Sequence, residues 1–471
     1  MRGARTAAWV SLALLFSLDR LVNATLFPVI FAVAPFAKDV GTVAGALGLV
    51  AIALLAMRRP FPFVTFPMVM AGAAVAVAGI AGMLAGAAEG SASLVTASAV
   101  LFSLGDRTVV PLYVCFILVK LKPDEAYRCL LVALVAQYPL AWAVELLPFP
   151  AVLLYIAAVP FVAPMLARKG GVAGVLVGRG TQRLGDLSIA NPRSFVPFSN
   201  IVFVTFALFN MGTGCALTFL SDGGIPSDTL FAVLPATVLL VVAWRGRTVG
   251  ADWLVKLSCL LILAGFLVVP LAGIPDAVTM ALFAGSPPLF AAGSSVFTVV
   301  FYLVLSEIGR RNRLGAVPLF AFGFGVARIG FEAGTLVGHL MNEGLGAAIA
   351  TAVAMAFLFA AFGILLLGRV SFQSLVDDVR PVEDAAALAA DPAAPLERDL
   401  DAQCARAIER YAFTPRESEI VRLLAQGRSI AIICEQLVVS KNTVKTHVKN
   451  IYLKMDVHSQ QELIDRIRTL P

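Results

Sequence analysis

The chain has 471 residues, of which 59% are hydrophobic and only 14% charged, and its mean hydropathy is +0.88. In soluble globular proteins about a quarter of the residues are charged, so this composition excludes a wholly soluble protein. Despite a formal net charge of +6, most of the chain is expected to be solvated by lipid.

Few residues carry the chemistry of an enzyme. The three histidines are widely separated, and the six cysteines show neither CxxC nor metal-ligand spacing. The sequence contains no Gly-rich phosphate loop and no carboxylate dyad that stands out. We therefore predict no catalytic residue, no metal site and no cofactor, and we expect the cysteines to fill hydrophobic cores.

The first 368 residues consist of apolar segments about as long as the 20 residues of a transmembrane helix. The run from Ala7 to Phe36 is longer than the core of a signal peptide, so we expect it to be retained as a first span. Twelve spans are predicted, near 8–34, 40–57, 62–88, 92–119, 125–146, 150–167, 197–220, 226–244, 251–273, 276–306, 315–340 and 344–368.

Basic residues between the predicted spans lie almost entirely on one side. With the N-terminus in the cytoplasm, the basic residues from Arg2 to Arg369 fall in cytoplasmic connections, and only Lys38 falls clearly in an outer one. An odd number of spans would destroy this alternation. The pattern predicts a multi-pass protein of the cell membrane with both termini in the cytoplasm.

The longest connection, residues 168–196, divides the spans into six plus six. The segments LFSLG at 101–105 and LFAAG at 289–293 are similar, and a tyrosine follows each, Tyr113 or Tyr302. This organisation resembles the major facilitator superfamily, whose two halves enclose a midplane site. The resemblance implies halves 1–167 and 197–368, a cytoplasmic linker 168–196, and an all-α bundle. However, the connection between spans 2 and 3 is only MRRPFP, without the Gly-rich latch of that superfamily.

Charged and amide side chains near the middle of the spans are candidates for a ligand site. Each costs a few kcal/mol in hydrocarbon unless it has a partner or faces a cavity, and the resemblance implies that spans 1, 4, 7 and 10 line a central cavity, with 5 and 11 beside them. The predicted ligand-binding residues are Asp19, Arg20, Asn23, Asp106, Arg107, Asn210, Arg328 and Glu332. The alternative is structural pairing, for which Arg328 and Glu332 have suitable i, i+4 spacing.

Residues 369–410 form a linker rich in alanine, proline and acid. Seven acidic residues between Asp377 and Asp399 oppose only Arg380 and Arg398. Such a segment buries too little apolar surface to fold alone. We expect a tether that becomes helical from about Leu396 to Arg410.

Residues 411–471 show the capping and periodicity signals of four short helices. Thr414-Pro-Arg-Glu417 is a capping box with proline at the first helical position. Ser429 and Ser440 begin the next two helices, and Ser459 with Glu462 predicts a second capping box. The three-residue connection VVS between the second and third helices indicates a helix-turn-helix.

The tail segment FTPRESEIVRLLAQGRS, followed by EQLVVSKNTVKTHVKNIYLKMDVHS, closely resembles the LuxR/GerE-type DNA-binding domain. The resemblance implies that helix 441–454 enters the major groove of double-stranded DNA. Lys445, Thr446 and Lys449 would then meet base edges, and lysine can donate to guanine. The residues predicted to contact phosphates are Ser440, Lys441, Asn442, Thr443 and Lys454. With a net charge of only +3 from residue 411 on, one copy should bind weakly, so a dimer is expected.

These elements predict a membrane-anchored, one-component transcriptional regulator that senses a small polar or anionic molecule. Residues 369–410 are too few for a phosphoacceptor receiver domain, which needs roughly 100 residues or more. One alternative is a facilitator-type transporter with an additional regulatory tail. Another is a sensor of membrane lipid or membrane stress without a soluble ligand.

Overall fold

The structure, a computed structural model, describes most of the chain. The described residues are 2–58, 66–169, 195–218, 233–246, 249–268, 286–313, 315–344, 371, 372, 376, 379 and 397–468. Only the backbone is described for residues 2–5, 107–110, 286–288, 341–344, 397–402 and 468. All regular secondary structure in these ranges is helical.

The first group of helices precedes residue 170. Its bounds are α1 Arg2–Leu21, α2 Phe27–Phe31, α3 Ala37–Arg58, α4 Phe66–Glu89, α5 Ala92–Lys120, α6 Pro123–Glu145 and α7 Phe149–Lys169. A second group follows residue 195. Its bounds are α8 Ile201–Thr218, α9 Val233–Trp244, α10 Ala251–Val268, α11 Ser286–Arg311 and α12 Ala316–Gly344.

A helix lies over each of the first eleven predicted spans. The twelfth, 344–368, and nearly all of the predicted linker 168–196 lie outside the described residues. Within the described part of the chain, nine helices are long and apolar enough to cross a membrane, and Val233–Trp244 is a shorter apolar helix.

The first span contains a break in its helix. A π-helical turn, Val22–Leu26, separates α1 from α2, and Pro28 follows two residues later. Proline lacks an amide donor and crowds the carbonyl of the preceding turn, and a π turn relieves that conflict by adding a residue. The break places Asn23 at an irregular point in the middle of the span.

The closest helix contact in the bundle joins α8 and α12. Gly330, Gly334 and Gly338 lie on one face of α12, and a Cβ atom at Gly334 would overlap the carbonyl oxygen of Met211 on α8. In the other direction, a Cβ at Gly214 would overlap the carbonyl oxygen of Phe331. Small residues permit such backbone contact between transmembrane helices.

Helices of the two groups also pack against each other. α3 packs on α12, α6 packs on α9, and α5 packs on α11. One continuous hydrophobic core includes side chains from both groups. Five of the six cysteines are buried, and the sixth, Cys434, is half-buried.

The tail folds around a separate hydrophobic core. Its helices are α13 Glu397–Arg410, α14 Pro415–Ala425, α15 Ile430–Leu437, α16 Lys441–Met455 and α17 Gln460–Arg468. α13 packs on α14 and α17, and its Cys404 and Ala407 are 1% and 0% exposed. The helix expected from about Leu396 to Arg410 is thus present as α13, and it packs on the core of the tail.

Candidate functional site

One face of α16 is exposed and basic, while the opposite face is apolar and buried. Val444, Val448 and Ile451 point into the tail core. The exposed residues of the first three turns are Lys441, Asn442, Thr443, Lys445, Thr446, Lys449 and Asn450. Because Lys445 and Lys449 are one helical turn apart, both lysines project from the same side of the helix.

Caps and a tight turn fix the start of α16. The Ser440 hydroxyl accepts a hydrogen bond from the Thr443 amide at 3.2 Å, as an N-cap serine does. Val438 ends α15 with φ 50° and ψ 50°, and the Arg416 guanidinium donates to the Leu437 carbonyl at 2.8 Å. α14 thus holds the turn that orients α16.

Lys454, a predicted phosphate contact, also makes contacts within the tail. Its ammonium group donates to Glu417 Oε2 at 2.7 Å and to the Ala412 carbonyl at 3.1 Å. Glu417 is 3% exposed and also accepts from the Thr414 amide, which completes the predicted capping box. Lys454 therefore joins the end of α16 to the start of α14.

Hydrogen bonding decides the charge state of Glu417. Burial alone would raise its pKa, but hydrogen bonds from Lys454 and Thr414 outweigh burial and hold the pKa of Glu417 below its ordinary value. The second predicted capping box differs in detail. Ser459 accepts from the Glu462 amide at 3.1 Å, while Glu462 accepts from His458, one residue before the cap.

In the bundle, Tyr302 of α11 lies within electrostatic range of several candidate residues. It is 8% exposed, and the charges that act on it include those of Arg328, Asp19 and Asp106, from α12, α1 and α5. Its ring contacts Phe16 of α1, with centroids 5.7 Å apart. Tyr302 therefore has candidate residues of both helix groups in its electrostatic surroundings.

The two charged neighbours in α1 point in different directions. Asp19 is exposed and accepts through its backbone carbonyl from the Asn23 amide group at 2.7 Å. The Arg20 guanidinium lies 4.4 Å from the centre of the Tyr138 ring and 5.9 Å from that of Trp142, both on α6. Such cation–π contacts stabilise a desolvated guanidinium, so Arg20 helps to join α1 to α6.

Three further predicted ligand residues have other surroundings. Asn210 donates to the Phe206 carbonyl of its own helix at 2.8 Å. Glu332, 9% exposed, shares a hydrogen bond with Asp39 of α3, and Asp39 Oδ2 lies 3.8 Å from His339 Nε2. The side chain of Arg107 lies outside the described residues.

A contact between the two helix groups closes the end of the bundle at which α5 and α11 finish. Arg310 of α11 donates to the Leu118 carbonyl at 3.0 Å and to the Val119 carbonyl at 3.4 Å, both on α5. Arg310 also pairs with Glu307. We call this contact the Arg310 latch.

Comparison with protein families decides the nature of the tail. Residues 411–467 match the family model described as GerE, bacterial regulatory proteins, luxR family. The tail is a LuxR-type DNA-binding domain. The matched region contains the whole exposed face of α16, so the identification predicted from the sequence is confirmed for this part of the chain.

Relatives of the LuxR-type tail occur in several bacterial regulators. A 65-residue stretch is 45% identical to the uncharacterized response regulatory protein YgeK of Escherichia coli, covering 13% of this chain and 44% of that protein. A 53-residue stretch is 43% identical to the monoamine regulon transcriptional regulator of Klebsiella aerogenes, covering 11% and 23%. The chain spans less than half the length of these curated relatives.

The membrane part is similar in fold to solved transporters. A bacterial homologue of the iron transporter ferroportin, in the outward-facing state, superimposes with a TM-score of 0.56 at 13% identity, covering 79% of this chain and 99% of that one. The major facilitator transporter FucP gives 0.51 at 12% identity, covering 76% and 98%. The expected facilitator-like fold is confirmed at this level.

Sequence reasoning missed Tyr302, Asp39 and His339 as neighbours of the charged groups. In the sequence, only the position of Tyr302 after the LFAAG segment distinguishes it from other tyrosines. Two aromatic rings of α12 and α11, Phe324 and Phe301, flank it with centroids 5.3 and 6.1 Å away. The contact between Asp39 and His339 joins helices far apart in the chain, and no sequence spacing reports it.

The buried Glu417 carboxylate makes the stability of the LuxR-type tail depend on pH. Because the pKa of Glu417 is lower in the folded chain than in the unfolded chain, its ionised form stabilises the fold. This stabilisation is complete at pH values above the pKa in the unfolded chain, near 4.5, and is lost as the pH falls through the pKa in the folded chain. We expect Glu417→Gln to lower the free energy of unfolding of fragment 397–471 by about 1–3 kcal/mol at pH 7, and by less near pH 4. Urea titrations at both pH values measure this, with exposed Glu435→Gln as the control. Equal losses at both pH values would contradict the assignment.

Val438 has a backbone conformation that suits another residue better. A β-branched side chain at positive φ is strained by about 1–2 kcal/mol, and Val438 is 88% exposed, so little packing is lost on its removal. We expect Val438→Asn to raise the melting temperature of fragment 397–471 by about 4–8 °C. Val438→Thr keeps the branched Cβ and should give no gain. A melting temperature lowered by asparagine would show that the valine side chain stabilises the turn.

Proposed function

We propose that this protein is a membrane-anchored, one-component transcriptional regulator that senses a small molecule in its transmembrane domain and binds double-stranded DNA through α16. The proposal rests mainly on one observation: a single chain contains both a facilitator-like bundle and a LuxR-type tail with an exposed lysine face. Residues 369–410 are too few for a separate receiver domain of roughly 100 residues or more. This supports the bundle as the input and the tail as the output.

The proposal includes twelve spans in two halves of six, with a membrane domain at 1–368, a linker at 369–410 and a DNA-binding domain at 411–471, against which α13 of the linker packs. The large apolar side chains on the outer surface of the bundle support a lipid environment, among them Leu154, Val238, Trp244 and Trp253. The asymmetry of basic residues supports a cytoplasmic tail and a location in the cell membrane.

This orientation is testable with topology reporters. We expect a fluorescent protein fused after Arg369 to fold in the cytoplasm and an alkaline phosphatase fused there to be inactive, because the twelfth span returns the chain to the cytoplasm. A cysteine replacing Lys38 should react with an impermeant maleimide added outside intact cells. A phosphatase active at Arg369 would contradict the even span count.

The proposed ligand site lies around Tyr302. Asp19, Asp106 and Arg328 supply charges of both signs, and Phe16 and Phe324 supply apolar walls, which suits a small polar molecule with some apolar surface. The other members of the proposed set are Arg20, Asn23, Arg107, Asn210 and Glu332. Among all of them, Arg20, Arg107 and Arg328 are the groups expected to meet a polar or anionic ligand. Ligand binding would shift the bundle between two arrangements in proportion to its differential affinity for them.

The proposed DNA contacts divide into two classes. Lys445, Thr446 and Lys449 read base edges, while the residues that hold phosphates are Ser440, Lys441, Asn442, Thr443 and Lys454. Response-regulator relatives of the tail support binding as a dimer on paired half-sites, because a single tail has few basic contacts.

A transporter with a regulatory tail is the second candidate, because the fold neighbours include an iron transporter homologue and FucP. We do not extend iron to this chain, since no group of three or more His, Cys, Asp and Glu side chains with metal-binding potential occurs among the described residues. Uptake assays in vesicles made from the purified full chain would reveal substrate flux.

Transcript profiles test the regulatory output that both candidates share, and the uptake assay separates the two. Three strains are compared, carrying the wild-type gene, no gene, or the Lys445→Ala/Lys449→Ala variant. A regulator without flux predicts no uptake and a lysine-variant profile that reproduces the profile of the strain without the gene. A variant profile equal to the wild type would contradict the proposal.

A further inference from the structure

A short segment after the membrane helices is buried in the bundle. We call it the strap and define it by its four described residues Ser371, Phe372, Val376 and Val379. Phe372 is 2% exposed and Val376 and Val379 are each 5% exposed, and all three belong to the bundle core. The Phe372 ring stacks on Phe206 of α8, with centroids 6.1 Å apart and planes inclined by 17°.

Polar contacts hold both ends of the strap. The Asp252 carboxylate, in the first turn of α10, accepts from the Ser371 hydroxyl at 2.7 Å and from the Phe372 amide at 2.6 Å. Hydrogen bonds to a carboxylate are among the strongest in proteins. At the other end, Arg311 donates to the Val379 carbonyl at 3.5 Å. The described strap residues thus contact α10, α8 and α11.

The hydrogen bond from Arg311 to the strap lies next to the Arg310 latch. Arg310 bonds the carbonyls of Leu118 and Val119 on the opposite helix group, and Arg311 is the next residue. Both also pair with Glu307, Arg311 at 4.0 Å. A movement that separates α11 from α5 must therefore displace the residue that holds the strap.

We propose that the strap is the element that transmits the state of the bundle to the tail. When the strap is docked against Phe206, Asp252 and Arg311, the free chain between the bundle and the tail is short. When the Arg310 latch opens and the strap is released, this tether becomes longer. The inference rests on the proposed function. Residues 371–379 add up to about 30 Å of reach when undocked, and tether length sets the effective concentration at which two tails meet on DNA. A tether too short to span its sites gives almost no effective concentration. Docking of the strap therefore lowers DNA occupancy, and release of the strap raises it.

The docking is tested without DNA by hydrogen exchange of the full chain in lipid nanodiscs. The Phe372 amide should exchange slowly in the wild type and at least about tenfold faster in Asp252→Ala, because the carboxylate acceptor is lost. Asp124→Ala, which removes an acidic residue from the first turn of α6, is the matched control and should leave the exchange unchanged. Fast exchange in the wild type, or no effect of Asp252→Ala, would overturn the proposal.

The transmission is tested by immunoprecipitating the same full-length variants with their DNA from cells. Asp252→Ala and Phe372→Ala should each raise occupancy of the wild-type sites several-fold at unchanged membrane abundance, and Ser371→Ala is a milder variant in case Phe372→Ala does not accumulate. Unchanged occupancy with accelerated exchange would overturn the transmitting role. If the wild type occupied no specific sites, the proposed function itself would fail, whereas the exchange data would still report whether the strap docks.

Discussion

Replacing Gly334 with leucine is expected to abolish the folded membrane domain. A Cβ at this position would overlap the carbonyl oxygen of Met211 and lie 2.8 Å from the Cys215 amide nitrogen. Backbone atoms cannot rotate away as a side-chain tip can, so α8 and α12 must separate. Because α12 also packs on α3, that separation disturbs both helix groups.

The measurement is the membrane abundance and gel-filtration profile of a fluorescent fusion. Gly250→Leu is the matched control, since a Cβ at Gly250 meets no heavy atom within 4 Å. We expect the control to behave as the wild type and Gly334→Leu to be degraded or aggregated. A monodisperse Gly334→Leu protein of normal abundance would show that α8 and α12 are not in backbone contact.

Replacing Lys445 and Lys449 with alanine is expected to remove specific DNA binding by the LuxR-type tail. Each lysine that meets a base edge contributes about 1–3 kcal/mol and part of the sequence preference. If the effects add, the double variant binds roughly a hundredfold more weakly or worse. Neither side chain packs in the tail core, so the fold should be retained.

Gel-shift titrations with DNA selected by fragment 397–471 from random sequences measure this loss. Arg406→Ala removes the same charge from an exposed position of α13 and should change affinity little. Lys441→Ala, a proposed phosphate contact, should weaken binding to all sequences alike and reduce the salt dependence. Retained specificity in the double variant would exclude α16 as the reading helix.

Local features of this protein could be predicted from its sequence because their causes are local. Apolar runs located the helices, and Thr414, Ser429 and Ser440 cap helices where the sequence predicted them. The exposed face of α16 followed from the alternation of lysines with Val444 and Val448. Each of these features depends on residues within one or two helical turns.

Long-range features could not be predicted in the same way. Lys454 was predicted only as a phosphate contact, and its partner Glu417 lies 37 residues earlier. Arg20 was predicted only as a ligand group, and its contact with Tyr138 joins it to another helix. α13 looked like part of a tether, yet Cys404 and Ala407 complete the tail core. In each case packing against a distant element decides what a polar or small side chain does.

The central claim, that one membrane-embedded chain binds specific DNA through α16, is tested most directly by chromatin immunoprecipitation of the full-length protein from the membrane fraction. The account predicts discrete DNA sites for the intact wild-type chain and their loss in the Lys445→Ala/Lys449→Ala variant at equal membrane abundance. Identical DNA profiles for the two proteins, or sites recovered only with a soluble proteolytic fragment, would contradict it.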